Sequence, residues 1–441
     1  MEPNVVLVVC DTLRKDVLGV YGGEANTPFL NSFAREAMVY ENAIAPSPWT
    51  YPSHVSLFTG QYVSEHGVHE TEKIKLLGLT KYHNQLKTER LAEYLSGKGY
   101  ETFGISNNIM VSPFTSFDRG FDSFISLDPA PKTGVEEVFK EARKLGASPA
   151  QIAKELLKRG RFKDLLRYAG AWQRINKLNK AMDYPLEKGS RLTNDIVANC
   201  KLDPSFFYFI NFVEMHEPYA GYKPKETWDN FTGVKPIAGR KADFLKAQYV
   251  KEAEYLDRAL EALVKTLKRR GFYDDTMIII TSDHGQAFNE HGYMYHNTYL
   301  YDEIIRIPLI IKYPHRKKFP KKAGYQSLVN VSRQIHETME GGNDSAITKE
   351  AVFSEAYGDV TVLPGGYNDR KSYVRNKYEK LRKAVYKDGF KLTVNGTDGV
   401  IEEFLKGDKE ADLKVHRSAA ERLIEELDIF KGSEKFKLPS L

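Results

Sequence analysis

The segment Trp49-Thr50-Tyr51-Pro52-Ser53-His54 places a hydroxyl residue where a helix is expected to begin. Proline two residues after Thr50 suits a first helical turn, where a missing N–H breaks no hydrogen bond, and Gly60 supplies a stop. Thr50 would then stand at the helix's positive end, where backbone N–H groups and the helix dipole favour an anionic ester and a developing oxyanion. Thr-x-Pro-Ser is also an ordinary helix start, so it gains chemical meaning only from its company. Asp11, Asp283 and His284 follow strand-like runs elsewhere, and with Thr50 they form a donor set for one divalent cation. Two carboxylates, an imidazole and a hydroxyl suit manganese or zinc better than calcium, which prefers oxygen alone, and magnesium is less natural. A cation touching the Thr50 oxygen would lower its pKa and make it a nucleophile at neutral pH. His216 and His296 sit in loops after the strand-like runs at Phe206 and Ile278 and are candidates to protonate a leaving group or neutralise the oxygens of a transferring anion. Singly, such a histidine is more often a satisfied structural residue. Together with the donor set it points to chemistry.

These residues need a frame that brings them to one place. Val5 to Cys10 reads as a buried parallel strand, Thr27-Pro28 starts a helix through Phe33, and a helix near Leu91 to Leu95 leads past Gly97 and Gly99 into a strand, Glu101 to Ser106. This is βαβ rhythm. From about 128 to 201 the texture changes to Lys, Glu, Leu and Ala with helical spacing, as in Ile152, Leu156, Leu157, Leu165 and Leu166, which predicts a helical insertion. Its spacing is compatible with a lid, an oligomer contact or a partner surface, and equally with a solvated hairpin packing one face on the core. The sheet resumes with Phe206 to Phe212, ending just before Glu214-Met215-His216-Glu217. A long helix from about Asp243 to Arg270 follows, then a strand, Thr276 to Thr281, that delivers Ser282-Asp283-His284-Gly285 at its carboxyl end, the edge where open α/β sheets bind ligands. After Pro308 to Ile311 and a helix near Val329 to Met339 come short strands at Ala351 to Phe353, Tyr373 to Arg375, Leu381 to Tyr386 and Gly389 to Val394, and a last helix near Ala419 to Leu427. The expected organisation is an α/β catalytic domain over 1–345, interrupted by the insertion, and a smaller antiparallel subdomain over 346–441.

Composition narrows the partners. A net charge of +5 over 441 residues does not demand nucleic acid, and basic runs such as Lys158-Arg159-Gly160-Arg161 read as solvated faces. No stretch approaches the roughly 18 apolar residues of a membrane span. The first strand begins almost at Met1, which leaves no room for a leader and gives the cytoplasm as the expected location. The 2 cysteines, Cys10 and Cys200, make neither a disulfide framework nor a zinc cluster and are expected to be reduced core residues.

The order Val8-Val9-Cys10-Asp11-Thr12-Leu13-Arg14, Gly19-Val20-Tyr21-Gly22, Thr27-Pro28-Phe29-Leu30, Thr50-Tyr51-Pro52-Ser53-His54, His216-Glu217-Pro218-Tyr219, Ser282-Asp283-His284-Gly285 and Glu290-His291-Gly292 resembles the sulfatase family of the alkaline phosphatase superfamily. The resemblance implies an alkaline-phosphatase-like central mixed sheet flanked by helices, with a smaller carboxyl-terminal antiparallel sheet, and metal-assisted attack on a small anionic sulfate or phosphate ester. By position it implies Asp11, Asp283 and His284 as metal ligands with Thr50, Thr50 as nucleophile, and His216 and His296 as substrate or leaving-group contacts. His54, Asn107 and His291 fall in substrate-facing segments of the family pattern and are the candidate substrate-binding residues.

Departures from that pattern redirect the reaction. Sulfatases carry Cys or Ser at the position of Thr50 and convert it to formylglycine, an aldehyde that threonine cannot supply. Cys10 is no substitute, since it precedes Asp11 in the first strand. The family's paired aspartates become Asp11-Thr12, and His284 replaces an amide, which moves the site from calcium toward manganese or zinc. His54 stands for an arginine, Ser106-Asn107-Asn108 for Lys-x-His, and His296 for a lysine, so fewer fixed positive charges remain. The set resembles the threonine-nucleophile branch, similar to phosphodiesterases and phosphotransferases such as lipoteichoic acid synthase. Two-metal relatives carry a further Asp-x-x-x-His, a spacing absent near the expected strand end here; Glu214, His216 and His296 are the available donors for a second ion, and one metal is expected. The expected function is a metal-dependent hydrolase or transferase for phosphate esters of the phosphodiester or phosphonate type. The alternatives are a sulfuric ester hydrolase using unmodified threonine and a non-catalytic metal-binding protein acting through the insertion.

Overall fold

In the computed structural model, which describes residues 2–69, 76–127, 187–200, 205–220, 237–320, 322–358, 380–430 and 435–441, the apolar runs become the middle of one large sheet. Its strands are β1 (Asn4–Cys10), β2 (Met38–Ile44), β3 (Glu101–Ser106), β4 (Ser123–Ser126), β5 (Phe206–Phe212), β6 (Thr276–Thr281), β9 (Arg306–Lys312), β10 (Tyr325–Ser327) and β11 (Thr348–Lys349). A two-stranded ribbon, β7 (Ala287–Phe288) and β8 (Met294–Tyr295), stands apart. The large sheet has 9 strands in the order β11-β10-β2-β9-β6-β1-β5-β3-β4. β1 lies between β5 and β6 and runs parallel to both, which explains why all its side chains are buried and why its sequence shows no alternation. β9 runs antiparallel to both β6 and β2, so β2 points the same way as β6. The carboxyl ends of β1, β2, β3, β5 and β6 therefore share one edge, and every segment carrying a candidate residue leaves from it.

The expected mixed sheet is found, with differences that have local causes. β2 carries the polar pair Glu41-Asn42 in its middle, where its pairing with β9 shifts register between Tyr40 and Ala43. That bulge breaks the alternation by which a strand is recognised. The helix expected from Asp243 spans Gly239–Arg269 and buries Leu245, Tyr249, Leu256, Leu260, Leu263 and Leu267 along one face. Of the insertion, residues 128–186 and 201–204 lie outside the described residues, and helix Ser190–Asn199 is the part that is described. Cys10 is buried as expected, whereas Cys200 is partly exposed, its thiol 3.1 Å from the Tyr208 hydroxyl; both are free.

The carboxyl-terminal sheet has 5 antiparallel strands, β12 (Ala351–Ala356), β13 (Arg382–Lys387), β14 (Phe390–Asn395), β15 (Val400–Lys406) and β16 (Lys409–Glu410). The expected strand Tyr373 to Arg375 lies outside the described residues. Helix Arg417–Phe430 covers this sheet through Ala420, Leu423 and Leu427 against Val385, Leu392 and Phe404. Cations fasten this sheet to the edge from which the candidate residues leave. Arg382 pairs with Glu402 at 2.6 Å and lies over the Tyr299 ring, and Lys391 bonds the Leu300 carbonyl and the Asp302 carboxylate, each at 2.7 Å. They grip the loop just after His296.

A second tie is the wholly buried pair Lys383 and Glu355, 2.8 Å apart, whose carboxylate also accepts from the Ser64 backbone N–H at 2.8 Å. Removing one member strands a charge in a dry site. Lys383→Met is expected to cost about 3–5 kcal/mol in urea unfolding, and adding Glu355→Gln to recover most of it. A loss below about 1 kcal/mol in the single variant would show the pair to be hydrated.

Candidate active site

Helix Thr50–Thr59 begins at Thr50, with Trp49 in extended backbone as its cap and Gly60 closing it at φ 67°. Its first turn is stapled to the end of β6 by Ser53, whose hydroxyl donates to the Asp283 carbonyl at 2.7 Å. The loop before it is held from two sides: the Pro48 carbonyl accepts from Asn297 N–H at 3.0 Å, and the Pro46 carbonyl from Glu355 N–H at 2.9 Å. Thr50 is thus fixed between the β6 loop, the His296 loop and the carboxyl-terminal sheet.

Asp11 and Asp283 meet above β1 and β6. Asp11 Oδ2 accepts from Asn108 Nδ2 at 2.5 Å, while Asp283 Oδ1 accepts from the backbone N–H groups of Thr12 at 3.2 Å and His284 at 2.9 Å. Thr12 reaches that carboxylate by adopting left-handed backbone, φ 61°, a conformation that costs a β-branched residue on the order of 1–3 kcal/mol. Tyr249 holds the turn, donating its hydroxyl to the Thr12 carbonyl at 2.6 Å and accepting from Arg14 N–H at 2.7 Å. His284 Nδ1 lies 2.9 Å from the Gly285 carbonyl, which only accepts, so Nδ1 carries the proton and Nε2 presents its lone pair to the site. That Nε2 is 3.2 Å from Thr50 Oγ1, 3.4 Å from Asp283 Oδ2 and 3.8 Å from Asp11 Oδ1. Thr50, Asp11, Asp283 and His284 are therefore brought together as the sequence predicts.

The electrostatics ask for a cation. Asp11 Oδ1 and Asp283 Oδ2 are buried with no hydrogen-bond donor, a costly state for a carboxylate oxygen. Burial, with the charge of Asp283 added, pushes Asp11 up to about 6, and burial pushes Asp283 up to about 7 against the backbone bonds that favour its ionised form. Burial holds His284 down at about 4, hence neutral. One ligand atom each from Asp11, Asp283 and His284 lie within 4.8 Å of one another. A four-coordinate ion with bonds of about 2.1 Å needs ligand atoms about 3.4 Å apart, close to the spacings found. The residues fit a single divalent ion.

Two histidines flank this group. His216, half-buried, donates from Nδ1 to the Glu217 carbonyl at 3.0 Å and lies 3.4 Å from the Glu217 carboxylate. Burial alone would lower its pKa, but Glu217 and Asp11 outweigh it and hold the imidazole above its usual 6.5. His296 is buried, its ring 4.4 Å from that of His284 and 5.4 Å from that of His216, and burial together with these neighbours drives its pKa well down.

The three expected substrate-binding residues are placed differently. His54 is fully buried one turn into the helix, donating to the Thr50 carbonyl at 2.9 Å with its ring edge-on to Phe117 and Phe209, so it braces Thr50 and the back of Asp283 from the interior. Asn107 turns toward helix Ser190–Asn199, where its Oδ1 accepts from Thr193; its neighbour Asn108 is the residue that reaches Asp11. His291 stacks on Tyr301 at 3.8 Å, pairs with Glu303 at 3.2 Å and lines a cleft of about 430 Å³ with Arg14, Lys15 and Arg306, a lining that includes none of Thr50, Asp11, Asp283 and His284. Sequence reasoning missed Asn108, Gln286 and the positioning role of Glu217. Asn108 lies within Ser106-Asn107-Asn108, Glu217 within His216-Glu217-Pro218-Tyr219, and Gln286 one residue past Ser282-Asp283-His284-Gly285.

The family model described as Sulfatase matches residues 3–341. The chain is 25% identical over 333 residues to an ulvan-active sulfatase from Formosa agariphila, covering 71% of this chain and 56% of the relative. It is 25% identical over 369 residues to an arylsulfatase from Clostridium perfringens, covering 77% of this chain and 74% of that one. Among solved structures, a phosphonate monoester hydrolase from Silicibacter pomeroyi superposes with a TM-score of 0.63 at 15% identity, over 97% of this chain and 95% of that one, a likeness of fold.

Proposed function

We propose that this chain, which belongs to the sulfatase family, is a metal-dependent ester hydrolase whose unmodified Thr50 attacks phosphorus in phosphodiester or phosphonate monoester substrates. The observation that carries the reading is the Thr50 hydroxyl at a helix amino terminus, 3.2 Å from His284 Nε2, beside two buried carboxylate oxygens without donors. Asp11, Asp283, His284 and Thr50 would hold one ion, manganese or zinc by their donor chemistry, and the ion would supply Lewis acidity that makes the Thr50 oxygen nucleophilic and offsets charge on the ester. The chain's own residues do the rest. First-turn N–H groups of helix Thr50–Thr59 face the developing oxyanion, and His216 gives a proton to the departing oxygen. His216, His284, His296 and Asn108 gather at the site, and Lys188 bonds the His216 carbonyl at 2.6 Å, a modest positive charge that suits a transferring group with a single negative charge. The phosphonate monoester hydrolase fold is in keeping with this substrate class.

The sulfatase relatives favour a second reading, a sulfuric ester hydrolase with unmodified threonine. Rates on an aryl sulfate and the matching aryl phosphodiester or phosphonate, each with manganese and with zinc, separate the two. Faster phosphorus cleavage is expected. Faster sulfate cleavage, or no cleavage of either, would overturn the proposal.

His216 gives a pH signature. A donor must be protonated, so activity on a poor leaving group is expected to fall as pH rises through a pKa above 6.5. His216→Ala should lose about 10²-fold on an alkyl ester, lose far less on a nitrophenyl ester, and flatten that alkaline limb. Equal losses on both esters would assign His216 to binding.

A further inference from the structure

Gln286 connects the two histidines. Its side chain is fully buried, with Nε2 3.3 Å from Glu217 Oε2 and Oε1 2.6 Å from His296 Nδ1. A carboxylate oxygen accepts, so the amide nitrogen must face Glu217 and the amide oxygen must face His296. An amide oxygen also only accepts, so His296 Nδ1 must carry the proton. Its Nε2 is left as the ring's acceptor. The amide is held from its backbone: Gln286 N–H donates to the Glu303 carbonyl at 3.0 Å, and the Gln286 carbonyl accepts from buried Arg14 at 3.0 Å. Gly285 makes this approach feasible, since a Cβ there would stand 2.2 Å from the Glu303 carbonyl oxygen. The His296 loop is meanwhile stapled to the Thr50 loop through Asn297 and Pro48.

We propose that Gln286 is a positioning residue that locks His296 as its Nδ1–H tautomer, so that His296 offers a proton-accepting Nε2 to the reaction while His216 offers a proton-donating one. The assignment rests on the Thr50 reading above: both rings donate from Nδ1, but the Glu217 carboxylate 3.4 Å from His216 Nδ1 supports an imidazolium there, whereas the uncharged amide oxygen of Gln286 at His296 supports a neutral ring. In the first half-reaction the Thr50 proton passes to His296 Nε2 as the Oγ1–P bond forms, and His216 protonates the leaving oxygen as its bond to phosphorus breaks. In the second, water gives a proton to the now neutral His216 as its oxygen bonds phosphorus. His296 then returns its proton to Thr50 as the Oγ1–P bond breaks, and both histidines regain their starting states.

Nitrogen NMR of the full chain with ¹⁵N-labelled histidine, metal-free and zinc-loaded, tests this, with His296 signals identified by their loss in His296→Gln. Wild type is expected to show His296 as Nδ1–H. Gln286→Glu keeps an acceptor facing Nδ1 and should retain that tautomer, whereas Gln286→Leu should lose the preference and lower kcat about 10²-fold with KM within about twofold. An Nε2–H tautomer in wild type, or an unchanged tautomer and kcat in Gln286→Leu, overturns the proposal. The wild-type spectrum decides even if Gln286→Leu fails to fold. Turnover surviving in Thr50→Ala would defeat the nucleophile reading while leaving the tautomer result standing.

Discussion

Thr50→Ala is expected to lower kcat/KM on an aryl phosphodiester by about 10⁴-fold while the protein stays folded. The fold should tolerate the change because the altered residue opens helix Thr50–Thr59, where alanine is a good helix former and the cap is the backbone of Trp49. The Thr50 side chain approaches His284 Nε2 at 3.2 Å, a contact at the site itself, so the surrounding fold should not depend on it. The metal-free unfolding temperature should stay close to wild type, metal affinity should fall with the loss of one of four donors, and Thr50→Ser should recover much of the rate because it restores a hydroxyl at the same place. Thr50→Ala retaining more than about a tenth of wild-type activity would mean that water attacks the ester directly.

Asp283→Asn is expected to lower kcat by about 10³-fold, the worth of several kcal/mol of charge stabilisation by a bound ion, and to abolish the response of thermal stability to manganese or zinc. The sign of its pH effect follows from the raised carboxyl pKa values. Asp11 at about 6 and Asp283 at about 7 lie above the ordinary 3.8, so the folded metal-free protein holds these protons more tightly than the unfolded chain. That stabilisation is complete below about pH 4 and is lost as pH rises to 7, where two buried carboxylates must ionise side by side. Metal-free wild type should therefore lose thermal stability across this window, and Asp283→Asn should lose less. Metal affinity should climb over the same range because the ligands must be deprotonated. Calorimetry of both proteins at pH 5 and 8, with and without zinc, reads each sign. A metal-induced rise in unfolding temperature that is equal in wild type and Asp283→Asn would place the ion elsewhere.

The middle of the fold was legible because β1, β5 and β6 are continuous apolar runs, as strands buried on both faces must be, and because the residues at their carboxyl ends inherit a common edge. β2 was hidden by the Glu41-Asn42 bulge, and β15 by partial exposure that interrupts its apolar residues. At the site, Thr50, Asp11, Asp283 and His284 could be read from residue type and position. What could not be read is the direction of side chains of neighbouring and similar type. Asn108, not Asn107, turns toward Asp11, and His54 points inward from the same helix turn that presents Thr50. Gln286 acquires meaning only once Glu217 and His296, far apart in sequence, close on either side of its amide. Thr12 shows the same limit: its left-handed backbone is set by Tyr249 and Asp283, partners more than two hundred residues away.

The most direct measurement is mass spectrometry of the Thr50 peptide after acid quench of a zinc- or manganese-loaded sample turning over an aryl phosphonate monoester. The expected result is a phosphonyl adduct on Thr50 that forms at least as fast as turnover and is absent in Thr50→Ala. Steady turnover with no adduct on Thr50, accompanied by inversion at an isotopically chiral phosphorus, would contradict a threonine nucleophile.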